Sequence, residues 1–378
     1  MKFKYAGKDY MNFVQQPLSG SSFSNFMKLL LHNHFHVSPS LIPRAIYVAM
    51  MTSLLSPFRW YEAMKFNKKL DDVKLPPVLF IVGHFRSGTT FLHYLMGQDR
   101  NLAYVSTLET MAPEVFLGWE KLFGEMVKKR LPDKRPMDDL EMHAGLPYEE
   151  EYAIANMCQQ SFYHAWYFPK KWDYYFRKYV LFEGINEKEK RRWRNAYIRL
   201  LKKIAYKHDG KMVLLKSPVN TGRIKELLEI FPDAKFLHIY RNPYRVYLST
   251  WKLYKKILPI FSFQHIEVEE LNEHIITFYK EVYRKYLRER NMIPEENLIE
   301  ISYETFYTNP LKNLEVIYEE LDIGNFSEAE PYFRKFAEKY KNYTPDKYTM
   351  DDGTRERIYD EWKFAFDAFG YDEMAVAI

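Results

Sequence analysis

A strand, a glycine-bearing loop and a helix follow one another over residues 78–92, and this feature constrains the chain most. Val78–Val82 is an apolar, β-branched run, which is typical of a buried strand. Gly83 and Gly88 then frame a G-x-x-x-x-G loop before an apolar helical pattern. Backbone N–H groups of such a loop and the helix N-terminus attract an anion. Thr89 stands where a triphosphate-binding loop has lysine, and the cation is Arg86. The loop therefore suits one terminal phosphate.

A second strand also ends in a cation. Lys235–Arg241 reads as a buried strand, and Asn242-Pro243 leads into a helix over about 244–257. Ser249 follows Arg241 by eight residues. The planar guanidinium of arginine can meet two phosphate oxygens at once.

These segments resemble the sulfotransferases that use 3′-phosphoadenosine-5′-phosphosulfate as donor. R-S-G-T-T is similar to their 5′-phosphosulfate loop, and arginine followed by serine is similar to their 3′-phosphate site. Met212–Pro218 resembles the K-S-P or K-D-P element of bacterial and protein-tyrosine sulfotransferases, and Leu298–Glu304 resembles a late strand ending in Y-E. The resemblance spans about residues 76 to 320. The donor-binding residues that it implies are Arg86, Ser87, Gly88, Thr89, Thr90, Arg241 and Ser249.

The resemblance implies a sulfuryl transfer, an in-line displacement dominated by positioning and charge stabilisation. Negative charge develops on the oxygen that bridges sulfur to the departing phosphate. Arg86 and the loop amides are directed at that oxygen, and the resemblance brings Lys216 to the same region. Each such contact is worth about 2–4 kcal/mol in the transition state. The chain supplies these cations itself, so no metal is expected.

The acceptor hydroxyl needs a general base. Our first candidate is Glu109, which follows the loop helix in a segment similar to the E-T segment of protein-tyrosine sulfotransferases. The alternative is that Glu109 is a carboxylate at the protein surface with no catalytic role. His143 and Glu151 rank below Glu109 as candidates. Histidine is the base in the cytosolic sulfotransferases, which makes His143 a candidate. Glu151 belongs to an acidic cluster after Pro147, and such clusters are also what a helix N-terminus prefers.

Two rival functions make contrary predictions. A P-loop small-molecule kinase predicts lysine after Gly88 and a magnesium-binding aspartate at a strand end, and Thr89 stands at the first position. A non-catalytic nucleotide-binding module predicts the loss of Arg86, Lys216 or Arg241, and all three are present.

Composition and charge narrow the class of protein. The 378 residues are 47% hydrophobic, which supports a sizeable core. A net charge of +5, from 55 basic and 50 acidic residues, gives no indication of nucleic-acid binding. Cys158 is the only cysteine, so no internal disulfide forms. The sequence shows no signal-peptide pattern, and its longest apolar run, Ala45–Leu55, is half of a membrane span. We expect a cytoplasmic protein.

Alternating strands and helices predict an α/β fold, a P-loop-type central parallel sheet flanked by helices. Residues 1–70 are expected to form a helical N-terminal extension or lid, and 71–378 the sulfotransferase domain. A helical, aromatic insertion at about 110–210 forms core or the acceptor wall. The apolar helix near residues 41–54 packs on the core or at a homodimer contact, covers an apolar substrate, or touches a membrane peripherally.

The acceptor is expected to be a small molecule with a hydroxyl group. High aromatic content and the apolar N-terminal helix favour a hydrophobic alcohol, such as a sterol, steroid or other lipid, and gut-bacterial sterol sulfotransferases share this general plan. Carbohydrate and phenol or tyrosine acceptors are the alternatives. Lys347 and Tyr348 are candidates for covering the adenosine.

Overall fold

Five strands of the described residues form one sheet. They are β1 (Val78–Val82), β2 (Ala103–Tyr104), β3 (Val213–Lys216), β4 (Lys235–Tyr240) and β5 (Leu298–Ser302). Their order in the sheet is β2-β3-β1-β4-β5. β4 runs parallel to both β1 and β5, with Phe80 opposite Phe236 and Leu237 opposite Ile299. The predicted α/β fold with a central parallel sheet flanked by helices is confirmed.

Helices make up most of the remaining chain. The α-helices are α1 (Phe23–His32), α2 (Ile42–Leu54), α3 (Ser56–Asp71), α4 (Thr89–Met96), α5 (Thr107–Met111), α6 (Phe116–Lys128), α7 (Glu150–Met157), α8 (His164–Tyr167), α9 (Trp172–Tyr179), α10 (Glu187–Lys207), α11 (Ile224–Leu228), α12 (Pro243–Phe261), α13 (Val268–Glu289), α14 (Tyr303–Thr308), α15 (Pro310–Glu320), α16 (Phe326–Lys339) and α17 (Asp352–Phe369). Short 3-10 turns include Pro17–Gly20, Pro39–Leu41 and Pro218–Gly222.

The computed structural model describes residues 3, 5, 16–129, 131–135, 140–341 and 349–373. Lys347 and Tyr348 lie outside these residues. The chain divides into two compact units, each assembled from separate segments. Unit 1 comprises Met1–Pro76, Tyr104–Val213 and Leu253–His274, and unit 2 comprises Pro77–Ala103, Leu214–Lys252 and Ile275–Ile378. The predicted division at residue 70 stays a prediction.

Unit 2 contains β1, β4 and β5, and its core lies against β1 and β4. The side chains of Leu79, Phe80 and Ile81 are fully buried, as is that of Leu237 in β4. Continuous apolar burial of this kind is typical of a parallel strand covered on both faces. The functional loops follow directly from the ends of these strands.

Unit 1 is built around aromatic side chains of the insertion. Phe162, Tyr163, Phe168 and Trp172 are at most 2% exposed. The rings of Tyr163 and Trp166 stack with their centroids 3.9 Å apart. Large buried rings contribute much apolar area to a core, and stacked pairs add to it. The aromatic run therefore forms core in this unit.

Buried charges attach the N-terminal helices to unit 1. The Nζ atom of Lys203 in α10 lies 2.6 Å from Oε1 of Glu62 in α3, and both side chains are at most 2% exposed. The N–H of Gly118 donates to the other carboxylate oxygen over 2.9 Å. Arg44 in α2 is fully buried and donates to the carbonyl oxygens of Pro259 and Ser262. Removing one partner of such a buried pair is strongly destabilising.

Candidate active site

The first glycine of the loop lies where backbone segments meet. Gly83 has a φ of 145°, and a Cβ there would be 2.2 Å from the carbonyl oxygen of Ile239 in β4. Its N–H donates to Oγ1 of Thr221 over 2.7 Å, and the Thr221 hydroxyl donates back to the Gly83 carbonyl over 3.1 Å. Only glycine fits this conformation and space. Thr221 in the 3-10 turn therefore fixes the start of the loop.

The loop closes on itself through Ser87. The Ser87 N–H and hydroxyl both donate to the carbonyl oxygen of His84, over 3.2 and 2.8 Å. The His84 ring is buried, and burial lowers its pKa to about 4 despite the hydrogen bond to the Phe85 carbonyl. His84 is therefore neutral near pH 7, and the positive side chain of the loop is Arg86. The predicted donor ligand Ser87 uses its hydroxyl to shape the loop.

The second glycine of the loop packs against the ring of Tyr303, a residue far from it in the sequence. Gly88 has a φ of 98°, and a Cβ there would lie 2.4 Å from Cδ2 of Tyr303. Gly88 is the N-cap of α4, so Thr89 and Thr90 occupy the first turn of that helix. Their backbone N–H groups belong to the unpaired donors of a helix N-terminus. The ring of Tyr303 therefore packs against the loop at the start of α4.

Two arginines and a serine are joined around the loop. The Nε atom of Arg86 donates to Oγ of Ser249 in α12 over 2.9 Å. Nη1 of Arg241, which follows β4, lies 3.4 Å from the carbonyl oxygen of Arg86. The Arg241 guanidinium carbon lies 4.1 Å from the centroid of the Tyr303 ring. The structure therefore brings together three of the predicted donor ligands.

Lys216 extends this cluster from the end of β3. Its Nζ atom donates to Oγ1 of Thr90 over 3.2 Å, and the side chain is 2% exposed. A buried ammonium beside a helix N-terminus is costly unless an anion offsets the charge. Lys216 and Thr90 are thus together, as the motif predicts.

Two buried polar atoms indicate whether this cluster can bind the phosphate groups of a nucleotide. Nε of Arg241 and Oγ of Ser217 are buried and have no hydrogen-bond partner among the described residues. Buried donors of this kind cost free energy unless an acceptor meets them. Phosphate and sulfate oxygens are such acceptors, and they carry the charge that the cations favour. The residues of unit 2 therefore fit an anionic group at this loop.

Glu109 lies in unit 1, in the first turn of α5. It forms a capping box, in which its N–H donates to Ser106 Oγ and its Oε2 accepts from the Ser106 N–H over 2.6 Å. Its Oε1 accepts from Nζ of Lys207 over 2.7 Å. The carboxylate is 1% exposed. Both carboxylate oxygens therefore accept hydrogen bonds, Oε2 from a backbone N–H and Oε1 from a lysine side chain.

The two other base candidates have different surroundings. His143 is exposed, and its Nδ1 accepts from the N–H of Gly145 over 3.3 Å. Glu151 is fully buried in α7, where its Oε1 accepts from the Ser161 hydroxyl over 2.7 Å and from the Phe162 N–H over 3.0 Å. The contacts of Glu151 are those of a carboxylate that anchors a turn.

A polar cavity of unit 1 brings Glu109 and His143 together. Its polar lining includes Tyr104, Glu109, Glu120, His143, Lys207 and His208. Burial lowers the pKa of Lys207, but its pairing with Glu109 and Glu120 outweighs that effect and raises the pKa overall. Lys207 is therefore a cation in this cavity.

A second cavity of unit 1 is apolar. It is lined by residues from the Pro17–Gly20 turn, α2, α5, α6 and α12. Four of the lining residues are methionines, Met51, Met111, Met126 and Met142. Leu55, Phe123 and Ile257 contribute further apolar surface. An apolar lining of this kind is typical of sites for apolar small molecules.

Sequence reasoning missed several residues of these sites. Tyr303 belongs to the Y-E element, but nothing in that motif indicates that its ring packs on Gly88 and Arg241. Thr221 lies five residues beyond Lys216 in a segment without a distinguishing pattern. Lys207, the partner of Glu109, ends a basic helix whose charges read as a solvated face. Only the spatial arrangement identifies these three.

The comparisons with known proteins agree with this geometry. A model of the sulfotransferase family matches residues 77–328. The omega-hydroxy-beta-dihydromenaquinone-9 sulfotransferase Stf3 of Mycobacterium bovis is 30% identical over 354 residues, 93% of this chain and 90% of the relative. The same relative from Mycobacterium tuberculosis matches equally.

Solved structures extend the likeness to the fold. Sulfotransferase STF9 from Mycobacterium avium has a TM-score of 0.67 and 18% identity, covering 89% of this chain and 87% of that one. Sulfotransferase STF1 from Mycobacterium tuberculosis H37Rv has a TM-score of 0.66 and 16% identity, covering 90% and 91%. The family match, the relative and the shared fold lead to one conclusion: this chain belongs to the sulfotransferase family and is an enzyme of that class.

Proposed function

We propose that the chain transfers the sulfuryl group of 3′-phosphoadenosine-5′-phosphosulfate to the hydroxyl group of a hydrophobic alcohol. The observation that carries the proposal is the cluster of Arg86, Arg241 and Ser249, joined by hydrogen bonds around a loop of phosphate-binding form. Carbohydrate and phenol or tyrosine acceptors remain the alternatives for the second substrate.

In this proposal the residues of unit 2 bind and polarise the donor. Arg241 and Ser249 hold the 3′-phosphate, and the loop from Arg86 to Thr90 holds the 5′-phosphosulfate. Lys216, held by Thr90, places its ammonium at the bridging oxygen, where negative charge develops as the S–O bond breaks. These groups are fixed before the reaction, so they need no reorganisation in the transition state.

We propose that Glu109 accepts the proton of the acceptor hydroxyl, with His143 and Glu151 as lower-ranked candidates. Oε2 of Glu109 is held by a backbone N–H, whereas Oε1 is held by the partly exposed side chain of Lys207. A flexible lysine exchanges partners more readily than a helix cap does. Oε1 is therefore the oxygen that we assign to the hydroxyl.

The apolar cavity of unit 1 is the proposed site for the body of the acceptor. Met111 in α5 lines this cavity, whereas Glu109, two residues earlier in the same helix, lines the other cavity of unit 1. The relative named for a hydroxylated dihydromenaquinone supports a lipid-like acceptor over a sugar. A sterol or steroid is one member of the same apolar class.

Calorimetric titration with 3′-phosphoadenosine-5′-phosphate, without metal, tests the donor site. We expect micromolar binding by the intact chain and a loss of about 10- to 100-fold in Arg241→Ala, because charge-assisted hydrogen bonds are removed. The matched control is Arg334→Ala, which removes an exposed arginine paired on α16. Absence of binding by the intact chain, or binding of ATP with magnesium instead, would restore the kinase interpretation.

Transfer of labelled sulfate to a panel of long-chain alcohols, sterols, phenols and sugars tests the acceptor. We expect Val127→Trp, which fills the apolar cavity, to lower kcat/KM for apolar acceptors by about tenfold or more while donor affinity stays unchanged. Val316→Trp, on an exposed position of α15, is the control. Preference for sugars that Val127→Trp leaves intact would contradict the apolar acceptor.

A further inference from the structure

The outer face of α2 is apolar and exposed. Ile42, Ile46, Met50 and Leu54 recur every fourth residue and are 45%, 63%, 50% and 57% exposed. This spacing places them in one row along the helix. The opposite face of α2 is buried and includes Val48 and Met51. A row of four large apolar side chains in water needs an explanation.

The following helix, α3, continues the pattern and adds lysines. Trp60 and Met64 are 69% and 66% exposed, and Lys68 follows in the same row. Lys65 and Lys69 lie at the edge of this face, where their ammonium groups approach the ring of Phe66 at 5.4 and 5.6 Å. Tryptophan and lysine together are typical of a helix at a membrane–water boundary.

The exposed charge of α2 and α3 is mainly positive. Helices α2 and α3 contain five lysines and arginines and two acidic residues, Glu62 and Asp71. Lys65, Lys68 and Lys69 are exposed, and Asp71 is exposed at the last position of α3. Glu62 is buried and paired with Lys203, so it contributes no negative charge to the exterior. A positive, apolar surface is complementary to an anionic lipid bilayer rather than to a neutral protein surface.

The apolar cavity lies on the other side of the same helix. Met51 and Leu55 line the cavity, while Met50 and Leu54 are exposed on the outer face. This part of the chain therefore has apolar side chains facing both the exterior and the cavity. A bilayer that covers the outer face would bring apolar molecules close to the cavity wall.

The segment fits a helix pair lying at the surface of a bilayer rather than crossing it. By length and composition Pro39–Asp71 qualifies as a span. However, Leu55 separates α2 from α3, and 13 residues of α2 reach only about 20 Å. Buried Arg44 and Glu62 hold one face of each helix to unit 1.

We propose that the exposed face of α2 and α3 docks onto an anionic phospholipid bilayer. The face is defined by Ile42, Ile46, Met50, Leu54, Trp60, Met64, Lys65, Lys68 and Lys69. Docking goes beyond the proposed function and does not depend on it, since it needs neither donor nor acceptor.

The test is sedimentation of the full chain with vesicles of phosphatidylcholine alone or mixed equally with phosphatidylglycerol, together with tryptophan emission. We expect binding to the anionic vesicles, weakened by salt, and a blue shift that Trp60→Phe removes. Exchanging Lys65, Lys68 and Lys69 for glutamine should weaken binding by about fivefold per lysine. Met50→Gln should weaken it too, whereas Met292→Gln, equally exposed at 50%, should not.

Three outcomes would overturn the proposal. The chain does not sediment with anionic vesicles, or it sediments equally well after the lysine and Met50 substitutions. Alternatively, sedimentation velocity shows a dimer that Met50→Gln dissociates while vesicles bind neither form, which means that a second copy covers the face. Binding of 3′-phosphoadenosine-5′-phosphate, measured in parallel, separates failure of docking from failure of the proposed function.

Discussion

The Nε atom of Arg86 donates a 2.9 Å hydrogen bond to Oγ of Ser249, which joins the phosphate loop to helix α12. These residues are 163 positions apart in the chain. The resemblance assigns them to opposite ends of the donor, yet in the structure they contact each other directly. A change at Ser249 is therefore expected to affect both ends.

Ser249→Ala should weaken binding of 3′-phosphoadenosine-5′-phosphate by about tenfold, because the proposed hydrogen bond to the nucleotide and the restraint on Arg86 are lost together. Calorimetry measures the change, and Ser53→Ala, at an exposed serine of α2, is the control. Unchanged affinity in Ser249→Ala would mean that Ser249 does not touch the donor.

Gly88→Ala should lower the free energy of unfolding more than a glycine substitution elsewhere does. Its left-handed φ of 98° costs about 1–3 kcal/mol for alanine, and the new Cβ also meets the Tyr303 ring. Gly184→Ala provides the control, since Gly184 has a φ of 63° and no atom within 4 Å of the added Cβ. Urea denaturation of both variants measures how much of the lost unfolding free energy comes from the clash between the new Cβ and the Tyr303 ring. Equal losses of unfolding free energy in the two variants would contradict the contact with Tyr303.

Glu109→Gln should lower kcat by about 10²- to 10⁴-fold with little effect on donor affinity, as expected for a general base. Glu120→Gln is the matched control, because Glu120 also pairs with Lys207 and lines the same cavity. Thermal unfolding should accompany the kinetics, because Glu109 also caps α5. Loss of stability with kcat retained would assign Glu109 a structural role and move the base to His143.

Acid should remove the stabilising effect of Glu300. Burial acts to raise its pKa, but hydrogen bonds from His238 and Tyr286 and the charge of Arg290 lower it to about 2. The unfolded value is about 4.3, so this stability is present above pH ~4 and is lost as the pH falls towards 2.

The difference in unfolding free energy between wild type and Glu300→Gln should therefore shrink as the pH is lowered from about 6 to about 3. Urea denaturation at each pH measures it, with exposed Glu315→Gln as the control. A difference that stays constant with pH would contradict the lowered pKa.

The sequence predicted the strand, loop and helix over residues 78–92 because their determinants are local. Two glycines, a buried strand and Arg86 lie within a few residues, and their order fixes strand, loop and helix. The cations Lys216 and Arg241 were predicted for a similar reason, since each ends a strand of a parallel sheet.

Contacts between distant residues could not be predicted in the same way. Tyr303 reaches Gly88, and Lys207 reaches Glu109, only after the chain has folded back over long separations. The apolar cavity is assembled from five or more segments, of which only the apolar helix α2 stood out in the sequence. The length of uninterrupted apolar runs indicated no membrane-spanning segment in the sequence. By length and overall composition, however, Pro39–Asp71 is long and apolar enough to cross a membrane.

Under the proposed function, the four methionines of the apolar cavity have a consequence for acceptor choice. Methionine is unbranched and polarizable, so its side chain changes rotamer at low cost and adapts to ligands of different outline. A wall made of Met51, Met111, Met126 and Met142 should discriminate by volume and polarity more than by shape. Oxidation of these thioethers to sulfoxides would make the same wall polar, so the breadth of acceptors would narrow under oxidative stress.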